Sequence, residues 1–345
     1  MKKFIVNCFL FFLCTVFFYV ILLMLWGSFL PDEFKKNINY RVGTSGYTYT
    51  RLHEVEKYNN INILFVGSSH AYRGFDTRIF KERGLTCFNL GTSSQSPIQT
   101  ELLLDRYLDK LNPSTIVFEV YPYTFSCDGV ESSVDVISNS CVDGNSIKMA
   151  ANINSLKTYN TLLYAFVHRL FVNEKPVKEN LFFIESKGNL KYYTTYIPGG
   201  FMESKKEWIG NDTLGKSNAM KMNSLNEKGI MTDLKIIQTK DGRWEPRQSQ
   251  IKAFERILKK LKEKNIHVIL VQAPINSKYY SLIKCNKEID SYFSSKEDYY
   301  NFNVLMFFDN ELNFTDYDHL NQKGVKKMNE AFIDKAFKKE LIPLQ

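Results

Sequence analysis

The sequence predicts an α/β protein: an open, largely parallel sheet of about five strands, one N-terminal transmembrane helix and a large insertion. Three observations predict it. An uncharged run opens the chain from Phe4 to Leu30. Beyond it, short runs of β-branched and aromatic residues alternate with segments of helical periodicity, the pattern of a sheet carrying helices on its faces. A long tyrosine- and asparagine-rich stretch, 123–246, fits neither pattern, and a structureless loop of that size is improbable inside a domain. With 345 residues and 44% hydrophobic content, the chain can bury a substantial core.

The opening run follows Met1-Lys2-Lys3 and stops at Pro31-Asp32. As a helix it would span roughly 40 Å, more than the ~30 Å hydrocarbon layer of a bilayer. A cleaved signal peptide would be shorter and followed by small residues, which Leu25-Trp26-Gly27-Ser28-Phe29 does not supply. Neither Cys8 nor Cys14 follows the small residue of a lipoprotein cleavage site. A retained anchor in the cytoplasmic membrane is therefore expected. Lys2 and Lys3 precede it, whereas Asp32 and Glu33 offset Lys35 and Lys36 after it. The positive-inside rule then leaves the amino terminus in the cytoplasm and the remainder outside. On that oxidising side Cys127 and Cys141, which bracket a short polar stretch, are candidates for a disulfide. The formal charge of +8 is spread along the chain, which suits solubility and lysine-rich helix faces, and no nucleic-acid module is visible.

The expected organisation is a cytoplasmic stub at 1–3, an anchor at 4–30, a connector at 31–60, a sheet domain formed by 61–122 and 247–345, and an inserted cap at 123–246. The expected strands are Ile61–Val66, Thr86–Leu90, Thr115–Val120, His267–Ala273 and Val304–Phe308. Helical spacing marks Gln99–Leu111, Thr161–Val172, the segment through Ile251, Phe254, Ile257 and Leu261, and a closing helix through Val325, Met328 and Phe332.

Three places along the chain carry candidate chemistry. Gly67-Ser68-Ser69-His70 follows the first strand, putting a hydroxyl at the carboxyl edge where open α/β sheets bind ligands. Alone, it is also an ordinary turn. Asn89-Leu90-Gly91 follows the second strand, where a glycine lets backbone N–H groups face a reacting centre, or simply turns the chain. Asp316-Tyr317-Asp318-His319 follows the last strand, and an aspartate three residues before a histidine can turn its carboxylate onto the ring. Asp318, adjacent to the histidine, is less able to do so. Asn321 reads as a helix N-cap, with Leu320 and Val325 as a hydrophobic staple. His53, His168 and His267 read as structural. No two histidines have zinc-ligand spacing on one helix, no cysteine pairs cluster, and no phosphate-binding glycine loop follows the first strand, so neither a metal nor a cofactor is expected.

These blocks resemble those of SGNH (GDSL-like) hydrolases. Gly67-Ser68-Ser69 matches the first, with Ser68 where aspartate is common; Asn89-Leu90-Gly91 matches the second, and Asp316-x-x-His319 the last. The likeness covers 60–122 and 265–340. It implies a flavodoxin-like three-layer sandwich, with Ser69 as nucleophile, His319 as base and Asp316 as its orienter. It also implies an oxyanion hole formed by the backbone N–H groups of Ser69 and Gly91. The third block departs from the family: where Gly-x-Asn-Asp is usual, this chain has Phe118-Glu119-Val120-Tyr121-Pro122. His70, Asn89, Gln95, Glu119 and Tyr121 are then candidate substrate contacts, with Gln95 a substitute donor for the absent asparagine.

Such departures look like those of anchored SGNH proteins of cell-envelope modification. The resemblance implies O-acyl transfer to a cell-surface glycan, or ester hydrolysis on it, through an acyl-serine. The alternatives are D-alanyl transfer to teichoic acid, or a silent scaffold that recruits a polytopic membrane acyltransferase.

Overall fold

The computed structural model describes residues 1–43, 46–172, 182–187, 190–208 and 228–337. Parts of the expected insertion, 173–181, 188–189 and 209–227, lie outside the described residues. Helix α1 (Lys2–Phe29) is followed by β1 (Ile63–Val66), α2 (Ser69–Gly74), β2 (Cys87–Asn89), α3 (Pro97–Leu111) and β3 (Thr115–Glu119). Next come α4 (Leu156–Phe171), β4 (Phe182–Lys187), β5 (Leu190–Ile197) and β6 (Phe201–Trp208). The chain then forms α5 (Gln248–Glu263), β7 (His267–Gln272), β8 (Asp298–Asn301) and α6 (Gln322–Ala336).

Five strands form one sheet in the order β2-β1-β3-β7-β8, with every neighbouring pair parallel. Successive strand residues point to opposite faces, and both faces are covered. Leu64, Ile116 and Leu270 pack with Leu103 and Leu111 of α3 and Phe254 and Ile257 of α5. On the other face Phe65, Val117 and Val271 pack with Phe75 and with Met328 and Phe332 of α6. The result is a three-layer α/β/α fold. Its strand order reverses between β1 and β3, the switch point at which such sheets open a crevice at their carboxyl ends.

The expected fifth strand, Val304–Phe308, is corrected to β8. Phe302–Leu305 is instead a short helix, and Val304 and Phe307 are exposed. The real strand, Asp-Tyr-Tyr-Asn, lies at the sheet's edge, where one flank meets solvent and a continuous apolar run is not required. Asn321 caps α6, accepting from Lys323 N and Gly324 N.

The segment expected as a connector is partly built into the fold. Helix Thr48–Glu54 buries Leu52 and Arg51. Within 123–246, helices Val130–Asn139, Gly144–Ile153 and α4 pack on one another, and α3 also contacts the first two. Strands β4, β5 and β6 form a separate antiparallel sheet. The turn between β5 and β6 covers the edge of β2, Asn89 N donating to Gly199 O at 2.8 Å. Arg51 reaches the same turn: Nε donates to Gly200 O and Nη1 to Gly46 O, each at 2.8 Å, with the guanidinium 4.5 Å from the Tyr72 ring centroid.

The candidate disulfide is not formed. Cys127 is a buried free thiol and Cys141 an exposed one. The 10-residue helix Val130–Asn139 between them is a rod about 15 Å long, beyond the ~7 Å Cα separation a disulfide bridges.

Arg51→Ala is expected to lower the unfolding free energy by about 3 kcal/mol, since it strands two carbonyls and opens a cavity. Arg51→Lys should recover only part of this, because an ammonium lacks the planar fork. Urea unfolding of the three chains in detergent tests both.

Candidate active site

The site begins with a close approach between β1 and β3. Gly67 follows β1 with φ of +138°, and a Cβ there would lie 2.7 Å from Glu119 Cβ and 2.9 Å from Glu119 O. Only glycine fits both the torsion and the space. The Glu119 carboxylate therefore reaches the next residue, where Oε2 accepts from Ser68 N at 3.1 Å and from Ser68 Oγ at 2.7 Å. Ser68 Oγ also accepts from His70 N, capping α2. Ser69 is thereby fixed as the first residue of a helix, with its amide among those that helix geometry leaves unbonded.

Ser69 Oγ lies 2.8 Å from His319 Nε2. His319 Nδ1 lies 3.0 Å and 3.1 Å from the two oxygens of Asp316. Asp316 Oδ1 also accepts from His319 N at 2.7 Å and from Asp318 N at 3.2 Å, so the loop holds its own carboxylate against the ring. Arg73 Nη1 and Nη2 each stand 3.4 Å from Asp316 Oδ2. Asp318 does turn back, contrary to the sequence reading, with Oδ1 2.9 Å from His319 Nδ1. The buried His70 ring stacks on His319 at 4.7 Å, and its Nε2 is 3.8 Å from Asp318 Oδ2.

The electrostatics follow from this crowding. Burial and the Arg73 charge pull the His319 imidazolium down, but Asp316 and Asp318 outweigh them and its pKa stands at about 9. Against burial, His319 and Arg73 hold Asp316 well below the usual carboxylate range. Burial, reinforced by Asp316, raises Asp318. His70 is pushed well down by burial and by His319, which favours a neutral ring. Burial lifts Glu119 to about 7, although the Ser68 hydrogen bonds oppose it. Carboxylates and imidazoles brought together from three segments of the chain thus differ widely in proton affinity.

The remaining expected contacts are placed differently. Gly91 N donates to Asn89 Oδ1 at 3.2 Å, so this expected oxyanion donor is engaged. Asn89 is fully buried, its Nδ2 donating to Ala71 O and Phe75 O, so that it ties β2 to α2. Gln95 is buried, with Nε2 on Thr100 Oγ1, and no described contact links it to Ser69 or His319. Glu119 and His70 support the Ser68 turn. Tyr121 is buried, its ring against His70 and its hydroxyl 3.0 Å from that of Tyr279. His70, Asp318 and His319 bring ligand atoms within 4.8 Å of one another, a grouping that a search along single helices misses. Hydrogen bonds already engage His319 Nδ1 and His70 Nδ1.

Arg73 was missed by the motif reading, although it follows Ser69 by one helical turn and so shares its face. A cleft of about 840 Å³ opens beside Asp316, lined also by Tyr317, Lys206, Lys278, Phe307 and Tyr279. Fold and site together define a three-layer α/β protein that carries a serine–histidine–aspartate hydrogen-bond chain at the switch point of its sheet.

No protein family and no curated protein matches this chain. Among solved structures it is similar to a GDSL-like lipase from Bacteroides thetaiotaomicron, at 13% identity and a TM-score of 0.38, over 86% of this chain and 99% of that one. So loose an overlap carries no argument about what this chain does.

A histidine acting as base must be neutral, and roughly one His319 ring in a hundred is neutral at pH 7 when its pKa is about 9. The neutral fraction of His319 should therefore rise about tenfold per pH unit on the acid side and level off as the ring loses its proton. Asp318→Asn, which removes one charge that raises the ring, should move that plateau to lower pH. An NMR titration of the His319 ring across the neutral and alkaline range checks this, and a midpoint at the ordinary histidine value contradicts it.

Proposed function

We propose that this chain is a membrane-anchored, SGNH-type serine esterase or O-acyltransferase that acts outside the cytoplasmic membrane on a cell-surface glycan. The observation that carries the reading is the continuous alignment of Ser69 Oγ, His319 and Asp316, at 2.8 Å and 3.0 Å. Nucleophile, base and orienter in this order suit acyl transfer. Ser69 Oγ attacks the ester carbonyl as its proton passes to His319 Nε2. Asp316 and Asp318 balance the imidazolium that forms, and Arg73 steadies Asp316. The Ser69 amide, at the start of α2, faces the developing oxyanion. Collapse of the tetrahedral intermediate expels the alcohol, which takes the Nε2 proton and leaves an acyl-serine. Water or a sugar hydroxyl then gives its proton to Nε2, takes the acyl group, and Ser69 regains its hydrogen.

Anchoring is supported by α1, whose apolar window has a mean hydropathy of 2.8 and is only 6% buried in the protein. Lys2 and Lys3 at its start favour a cytoplasmic amino terminus. D-alanyl transfer to teichoic acid uses the same acyl chemistry as transfer to a glycan. A second reading, a silent scaffold for a polytopic acyltransferase, is favoured by one observation. The absent third-block asparagine leaves the hole a donor short, and Gly91 N is already bonded to Asn89.

The full chain in detergent should hydrolyse p-nitrophenyl acetate. Ser69→Ala and His319→Ala should each lose about a thousandfold in kcat/KM, with the melting curve of Ser69→Ala unchanged. Full activity in Ser69→Ala would remove this function, and an inert but folded wild-type chain would favour the scaffold.

A further inference from the structure

Helix α4 is built inside out. Its buried side carries Thr158, Asn160, Thr161, Tyr164 and Ala165, whereas Leu156, Tyr159, Phe166 and Leu170 are exposed. These four, with Leu163 between them, recur at intervals of three and four residues and so form one stripe along the helix. Phe166 is 51% exposed, Leu170 66%, and Phe171 at the helix end 82%. A helix on a water-facing surface shows the reverse arrangement. The cations of α4 point inward or sideways: Arg169 donates to the carbonyls of Ile137, Ser138 and Ser140, and Lys157 pairs with Glu131.

The stripe adjoins α1. Tyr19 Oη donates to Asn160 Oδ1, and Ser28 Oγ lies 3.1 Å from Tyr164 Oη. Gly27 packs so closely that a Cβ there would be 2.3 Å from the Tyr164 ring. Leu23, Ile38 and Tyr164 close a small apolar cluster, against which Leu163 packs. With Lys2 and Lys3 at the inner surface, the ~30 Å hydrocarbon layer consumes about 20 residues of helix and ends near Leu23. The α1 residues that hold α4 therefore straddle the outer boundary of the bilayer, where an apolar face edged by tyrosine and phenylalanine is stable.

We propose that the outward face of α4, from Leu156 to Phe171, lies in the outer leaflet of the membrane at the headgroup–acyl boundary. It acts as a second attachment beside α1 and holds the domain at a fixed height and tilt. This rests on the anchored reading above and names the surface on which the domain sits.

Tryptophan quenching by phosphatidylcholine brominated along its acyl chains tests it, using the full chain in vesicles. Trp26 reports on α1, so the natural chain should be quenched more than Trp26→Phe. In the Trp26→Phe background, Phe166→Trp and, separately, Leu170→Trp each place a new reporter on the stripe. Both positions are exposed, so the fold should tolerate the exchange. Each new tryptophan should lose roughly half its emission, as expected for a side chain at acyl depth. If Trp26 is quenched while neither new reporter is, the proposal is wrong although the anchor stands, and the face is left for a protein partner. If neither Trp26 nor a Phe12→Trp reporter near the bilayer centre is quenched, the anchored reading fails and this inference fails with it.

Discussion

The packing of Gly67 against Glu119 is the constraint on which the rest of the site depends. With no Cβ at residue 67, the end of β3 approaches the end of β1 closely enough for one carboxylate to take both the amide and the hydroxyl of Ser68. That fixes the cap of α2, the cap fixes Ser69 in the first turn, and the helix carries Arg73 to Asp316. The same turn places His70, whose ring stacks on His319. Any side chain at position 67 would force β1 and β3 apart at the point where the sheet reverses order and the crevice opens.

A second feature is the balance of charge around one imidazole. Two carboxylates, Asp316 and Asp318, face His319 Nδ1, and one guanidinium, Arg73, faces Asp316. Two anions, one buried and one partly so, beside a neutral ring would be costly, so the arrangement favours the imidazolium. That state stabilises the charge that develops when a serine loses its proton, but it leaves little free base near neutrality. His70, kept neutral by burial and by His319, adds no further positive charge. The balance of these charges therefore sets how much free base the ring offers.

Much of the architecture was legible because four strands are buried on both faces and read as continuous apolar runs, and because α3, α5 and α6 have a clear helical period. Strand β8 was not, since an edge strand need not be apolar, while the neighbouring run 304–308 is apolar yet exposed. Ser69, Asp316 and His319 stood out because each follows a strand expected to end at the same edge. Asp318 was misjudged because adjacency in sequence suggests divergence, whereas the tight loop around Asp316 Oδ1 folds it inward. The roles of Glu119 and Asn89 depend on which strands and helices become neighbours, which local pattern does not encode. Arg51 belongs to the same class: a cation in an apparent connector, buried because a distant glycine turn offers it a carbonyl.

On the proposed reading Ser69 is a nucleophile activated by His319. Its most direct test is exposure of the folded full chain to a serine-directed fluorophosphonate, followed by intact mass and peptide mapping. One adduct is expected, on Ser69, and it should be lost in His319→Ala. A folded chain that takes no adduct, or takes it on another residue, would contradict it.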